Sequence, residues 1–239
     1  MPPALQIRDL TKAFVRPAVE GLDLTIHSGE FYILLGANGA GKTTTLRMVA
    51  GLLPPDRGEI CVFGTDALAD PVAAKRIMAW LSDEPMIYDK LSPLEYLDFV
   101  AGLWGVSNAA GPALLDRLGL TPHARQRCDS LSKGMRQKVA LAGALVHAPK
   151  LIVLDEPLTG LDAGSARIAK ELLRERLHDG AAVLMTTHIL DVAERMADRI
   201  GVLDDGRLIA EGTLTELRAK AGAGDASLED VFLSLIATP

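Results

Sequence analysis

Eight residues, Gly36-Ala37-Asn38-Gly39-Ala40-Gly41-Lys42-Thr43, lie between the apolar run Phe31 to Leu35 and a helical pattern from Lys42 to Leu53. They leave little freedom for the fold. They fit G-x-x-x-x-G-K-[ST] in the strand, loop, helix context that this pattern requires. The glycines let successive backbone N–H groups wrap an anion, and the helix start adds partial positive charge there. Lys42 then reaches β and γ phosphates, Thr43 offers its hydroxyl to Mg²⁺, and Thr44 is placed for the α phosphate. A glycine turn with no ligand is the plainer alternative, and the coincidence of pattern and context weighs against it. Pro54 and Pro55 are expected to end the helix.

A phosphate loop at the end of an apolar strand implies a parallel sheet, and the rest of the chain supplies one. Leu151 to Leu154 and Ala181 to Thr186 read as strands, with a helix from Ala163 to His178 between them that Asp162 can cap. Alternation around Leu5, Ile7 and Leu10, and again at Leu22, Leu24 and Ile26, predicts an early antiparallel ribbon. Glu59 to Phe63 reads as a further strand. From Pro71 the pattern is mostly helical: Ser92, Pro93 and Glu95 open a helix to Trp104, and Gly119 can close a short one around Leu114, Leu115 and Leu118. Residues 84 to about 146 thus form a helical lobe inserted in an α/β core. Ile200 to Leu203 and Arg207 to Ala210 flank the turn Asp204-Asp205-Gly206 as a hairpin. Ala219 to Ala226 reads as a linker, and Leu228, Val231, Phe232 and Leu235 make one apolar face of a last helix.

The second chemical element is Leu151-Ile152-Val153-Leu154-Asp155-Glu156-Pro157, an apolar strand that delivers two adjacent carboxylates to its C-terminal end. Asp155 suits a Mg²⁺ partner, directly or through water, and Glu156 a base that polarises the attacking water. A charged turn after a strand is the alternative, weakened by the phosphate loop upstream.

Leu131-Ser132-Lys133-Gly134-Met135-Arg136-Gln137 resembles the signature of the ATP-binding cassette (ABC) family, whose commonest form reads LSGGQ. Lys133 and Met135 depart from it, and the variant is similar to that of many exporter ATPases. Alone, Ser132 is an N-cap for a helix from about Gly134 to His147. The resemblance, which covers Leu5 to about Leu235, implies a P-loop NTPase (RecA-like) α/β core with an N-terminal antiparallel β-subdomain and an inserted α-helical subdomain. It implies an ATPase domain over residues 1–221, followed by a short linker and helix at 222–239.

It further implies that Ser132 and Gly134 face the ATP bound to a second copy of the chain. Leu161 and Asp162 resemble the family's D-loop, His188 resembles its switch histidine, and Phe14 occupies the place of an aromatic residue against adenine. Asp83, in Trp80-Leu81-Ser82-Asp83-Glu84, stands where the family pattern has glutamine. It can coordinate Mg²⁺ but adds negative charge beside the phosphates, or it is simply a solvated acid. The segment SLEDVFL resembles the C-terminal end of drug-exporter ATPase subunits.

The resemblance thus implies an ATP- and Mg²⁺-dependent ATPase subunit of a transporter, of exporter type. It works as a dimer beneath an integral membrane permease, at the inner face of the cell membrane. The formal charge of -6, from 25 basic and 31 acidic residues, offers no surplus to neutralise a phosphate backbone, so no nucleic acid partner is expected. No stretch reaches the roughly 18 apolar residues of a spanning helix, so any membrane role must come through a partner. Cys61 and Cys128 lack metal-ligand or C-x-x-C spacing and suit a reducing cytosol. Two competing readings are an ABC-type ATPase of a non-transport assembly, disfavoured by the single phosphate loop and absent heptads, and a nucleotide-binding scaffold without turnover, disfavoured by Glu156 but kept open by Asp83.

Overall fold

Strand β3 (Phe31–Leu35) is buried along its whole length and therefore reads as a continuous apolar run. Its neighbours are β8 (Ala182–Thr187) and β9 (Arg199–Asp204), both parallel to it, and β7 (Leu151–Asp155) pairs parallel with the far side of β8. A fifth parallel strand, β6 (Met78–Leu81), and the antiparallel β10 (Arg207–Gly212) complete a six-stranded sheet in the order β10-β9-β3-β8-β7-β6. This computed structural model describes residues 2–222, 224 and 226–236.

Alternate residues of each central strand feed two separate cores. Ile33, Ile152, Leu154, Val183 and Met185 face one side, where α3 (Pro93–Leu103), α4 (Gly111–Arg117), α5 (Lys133–Leu145), α6 (Ala163–His178) and α7 (Leu190–Met196) supply Leu97, Leu115, Leu141, Leu172 and Ala193. Tyr32, Leu34, Val153 and Leu184 face the other side. There they meet α1 (Lys42–Val49) and a four-stranded antiparallel sheet of β1 (Leu5–Ala13), β2 (Pro17–Ile26), β4 (Arg57–Val62) and β5 (Thr65–Asp66). The period of two along each strand thus sorts side chains into layers.

Local chemistry sets most boundaries. Ser92 and Glu95 form the expected capping box of α3: the Glu95 carboxylate accepts the Ser92 N–H at 2.8 Å, and the Ser92 hydroxyl accepts the Glu95 N–H. Asp162 caps α6, accepting the Ser165 N–H at 2.9 Å. Asp205 and Gly206, with φ of 42° and 80°, make the tight turn of the β9–β10 hairpin.

Several elements differ from the sequence reading. Helix α1 stops at Val49 rather than Leu53, because Gly51 adopts φ of 63°. Its N–H bonds Met48 O at 3.0 Å while the Leu52 N–H bonds Arg47 O at 2.9 Å, a Schellman closure; the two prolines only follow it. The segment expected to be mostly helical from Pro71 contains α2 (Pro71–Arg76) and then β6, too short to show a period and covered on both faces. Helix α5 runs Lys133–Leu145 instead of Gly134 to His147, and α7 was not anticipated. Nor was α8 (Leu214–Lys220), whose Thr213–Glu216 capping box extends helix into the start of the expected linker. Of that linker, 223 and 225 lie outside the described residues, as do 237–239 beyond α9 (Leu228–Ile236). In α9, Leu228 and Val231 are buried, with Phe232 and Leu235 packed beside them.

Candidate nucleotide site

The C-terminal ends of β3, β7 and β8 lie side by side, and the sheet register fixes what stands there. Leu35 pairs with Thr187, and Asp155 with Thr186. The loop after β3 therefore opens beside the two carboxylates after β7 and beside His188 after β8, at the strand ends where α/β sheets take ligands. A cleft of about 400 Å³ forms there, lined among others by Asn38, Gly39, Gly41, Lys42, Thr43, Thr44, Asp83, Asp155, Glu156 and His188.

Close packing demands two of the loop's glycines, Gly36 and Gly41. A Cβ on Gly36 would sit 2.4 Å from Leu203 O, and one on Gly41 would sit 2.2 Å from Ala18 O. Gly41 also has φ of 103°, a conformation that side chains rarely adopt. It caps α1 without a side-chain hydrogen bond, so the first amides of that helix stay available to an anion. Ala40 is buried and turns back, its N–H bonding Ala37 O at 3.2 Å. Lys42 is buried, and its ammonium donates to Gly36 O at 2.7 Å and Ala37 O at 3.0 Å. Burial pulls the Lys42 pKa below the ordinary lysine value, against the nearby charges of Glu156 and Asp155, which act to raise it.

Asp155 is buried, with one carboxylate oxygen, Oδ1, accepting the Thr186 hydroxyl at 2.6 Å and the other, Oδ2, buried without a partner. Glu156 has φ of 48°, an uncommon left-handed backbone for a side-chain-bearing residue, and such residues cost about 1–3 kcal/mol and cluster at functional sites. Its Oε1 lies 2.9 Å from His188 Nδ1, while Oε2 is buried and unpartnered. An ionised carboxylate only accepts, so in this contact Nδ1 carries the proton. Thr43 completes an all-oxygen set with Asp155, the chemistry that suits Mg²⁺, and the orphaned Asp155 Oδ2 fits such an ion. Among the described residues no group of three or more His, Cys, Asp or Glu is arranged to hold a metal alone.

Other expected residues stand apart from this cleft. Ser132 and Gly134 begin α5 outside its lining, with the Ser132 hydroxyl accepting the Met135 N–H at 3.3 Å. Both oxygens of Asp162 are engaged by Ser165, at 2.9 Å from its N–H and 2.7 Å from its hydroxyl, and these bonds lower the Asp162 pKa. Phe14 is 62% exposed, and it too is absent from the cleft wall; its ring lies 5.8 Å from the Lys12 ammonium.

The sequence reading missed Thr186, and also Gln137, whose buried amide donates to Pro157 O at 3.0 Å. In sequence the only signal for Thr186 was a hydroxyl at the end of an otherwise apolar strand. Lys133, the departure from the signature, also lines the cleft.

The profile of the ABC transporter family matches residues 19–159. The ABC-type transporter ATP-binding protein EcsA of Bacillus subtilis is 35% identical over 97% of this chain and 96% of its own length. The daunorubicin/doxorubicin resistance ATP-binding protein DrrA of Streptomyces peucetius is 39% identical over 86% of this chain and 64% of its own length. Among solved structures, an ATP-binding subunit of an ABC transporter superposes with a TM-score of 0.92 at 34% identity, covering 98% of this chain and 99% of the other. A dimeric, post-hydrolysis state of the ATP-binding cassette MJ0796 bound to ADP and Pi gives 0.81 at 25% identity, over 88% and 98%. No helix among the described residues is long and apolar enough to cross a membrane. The phosphate loop, the paired carboxylates and these likenesses place the chain in the ABC transporter family, as an ATP-binding ATPase subunit.

Proposed function

We propose that two copies of this chain close over two ATP molecules and that hydrolysis reopens them, driving transport through a separate membrane permease. The observation that carries the reading is a division of labour within one chain. Lys42, Asp155 and Glu156 line the cleft, whereas at the start of α5 only Lys133 reaches its edge, and Ser132 and Gly134 lie outside its lining. A second copy related by a two-fold axis would supply that missing wall to each site. MJ0796, a dimer with ADP and Pi, is a relative that assembles in pairs.

Within each site the roles follow from the free atoms. Gly39, Gly41 and the first amides of α1 wrap the phosphates, Lys42 leaves its two carbonyl partners for the β and γ phosphates, and Thr44 meets the α phosphate. A Mg²⁺ ion held by Thr43 and Asp155, with Asp83 at the rim, would offset phosphate charge. Glu156 is anchored at Oε1 by His188, which leaves Oε2 to accept the proton of the attacking water. His188 also stands beside the γ-phosphate position, Asp162 holds the start of α6 where the two copies meet, and Phe14, exposed at the β1–β2 turn, stacks on adenine.

We assign residues 1–221 to the ATPase unit, with the helical lobe at 84–146 inserted, and 222–239 to a linker and helix. The permease would dock in the groove between this lobe and the sheet, lined by Leu52, Trp80, Met86, Tyr96 and Trp104, where Met86 is 91% exposed. That docking would hold the chain at the inner face of the membrane. Export rather than import is supported by the LSKGM form of the signature and by the likeness to DrrA, a resistance protein.

The test is turnover with Mg²⁺ and ATP by the purified chain and by Glu156→Gln. Loss of the base is expected to lower kcat by roughly 10²–10⁴-fold with ATP binding retained. Equal turnover in the two proteins would remove Glu156 from the base position.

A further inference from the structure

Between the Asp155 carboxylate and the Glu156 backbone stands a buried hydroxyl that the reaction does not touch. Thr186 is wholly buried near the end of β8, directly across the ladder from Asp155. Its Oγ1 lies 2.6 Å from Asp155 Oδ1 and 3.1 Å from the Glu156 backbone nitrogen. The directions of these bonds are fixed by valence. A backbone N–H can only donate, so Oγ1 accepts from Glu156 and spends its single proton on Asp155.

We propose that Thr186 is a positioning residue for ATP hydrolysis: its hydroxyl locks the Asp155 carboxylate and the Glu156 backbone together, leaving one free oxygen of each carboxylate for the nucleotide site. This rests on the ATPase reading of that site. With Asp155 Oδ1 engaged by the hydroxyl, Oδ2 is the oxygen left over, and it is buried without a partner. With the Glu156 N–H held, the residue stays at φ of 48°, where Oε1 meets His188 and Oε2 stays free. The bond is not needed to join the strands, because the β7–β8 ladder already pairs Leu151–Asp155 with Ala182–Thr186. Valine has the same shape but would orphan both an acceptor and a donor in a dry site, whereas serine keeps the hydroxyl.

The experiment compares the full-length chain with Thr186→Val and Thr186→Ser. It measures calorimetric affinity for an ATP analogue with an imido-bridged γ-phosphate, in EDTA and in excess Mg²⁺, together with kcat and KM for ATP. For Thr186→Val, affinity in EDTA is expected within about twofold of wild type, with the gain on adding Mg²⁺ and the kcat each lower by roughly 10–100-fold. Thr186→Ser restores both. An unchanged Mg²⁺ gain and kcat in Thr186→Val overturns the proposal, as does an equal loss of affinity with and without Mg²⁺, or a serine variant that does not rescue. Should the valine variant fail to unfold cooperatively, Thr186→Ala carries the same expectation and the serine variant must still match wild type. A wild-type chain that binds no nucleotide under either condition would instead strike the ATPase reading itself.

Discussion

Helices α1 and α5 both begin in a glycine-containing turn that can present amides to an anion, yet the two starts are built differently. At α1 the cap is Gly41, with φ of 103°, no side-chain hydrogen bond and a buried lysine next in line. At α5 the cap is Ser132 in extended conformation, and its own hydroxyl accepts the Met135 N–H. One start is held open by the packing behind it, with Ala18 O and Leu203 O leaving no room for a Cβ. The other satisfies itself and stands exposed. The wall that each chain supplies to its own nucleotide needs the first kind of start; under the proposed pairing, a surface that waits for a second chain can be the second kind.

Breaking the open start should cost most. Gly41→Ala forces a left-handed residue against a carbonyl 2.2 Å away, two penalties of about 1–3 kcal/mol each. The expected outcome is a melting temperature lowered by many degrees and loss of ATP binding by calorimetry. Gly134→Ala sharpens the contrast. Its Cβ would meet Gly160 O at 3.0 Å, a contact that a shift of a few tenths of an ångström relieves, and in the first turn of α5 alanine gains less than the roughly 1 kcal/mol of a helix interior. Its stability should therefore stay within about 1 kcal/mol of wild type, with ATP binding to the single chain unchanged and kcat reduced. A Gly134→Ala chain that unfolds like Gly41→Ala would erase the distinction.

The smallest effect concerns the end of α5 away from its capped start. His147 stacks on Trp104 at 4.5 Å between centroids, its Nε2 lies 3.2 Å from Met78 O, and its Nδ1 is buried without a partner. Burial lowers its pKa below 6.5, against the Met78 carbonyl, which acts to raise it. A histidine favoured in its neutral form contributes stability that is full above the unfolded value near 6.5 and is lost as pH falls through it toward the folded value. The melting temperature of wild type should therefore fall more between pH 7.5 and 5.5 than that of His147→Phe. Parallel slopes would contradict the assignment.

The same contrast explains what could be read from sequence. The phosphate loop, the acidic strand end and the α6 cap were legible because each packs its chemistry into consecutive residues, as at Gly36 to Thr43 and at Leu151 to Glu156. Helix α3 was legible because its capping box is local. Strand β6 was not, since four residues, three of them buried and Trp80 partly so, carry no period of their own. Thr186 and Gln137 escaped because their meaning lies 31 residues away at Asp155 and 20 away at Pro157. Phe14 and Ser132 were legible only through family resemblance: in one chain the first is exposed and the second is an ordinary cap.

The central claim is that ATP is gripped by the open start of α1 in one copy and the capped start of α5 in another. The most direct measurement is the light-scattering mass of Glu156→Gln with ATP and Mg²⁺, with and without Ser132→Glu, which sets a negative charge at the second grip. The account predicts twice 25.4 kDa for Glu156→Gln and a return to 25.4 kDa when Ser132→Glu is added. A mass that stays at 25.4 kDa in saturating ATP and high protein concentration, or a dimer indifferent to the charge at Ser132, would contradict it.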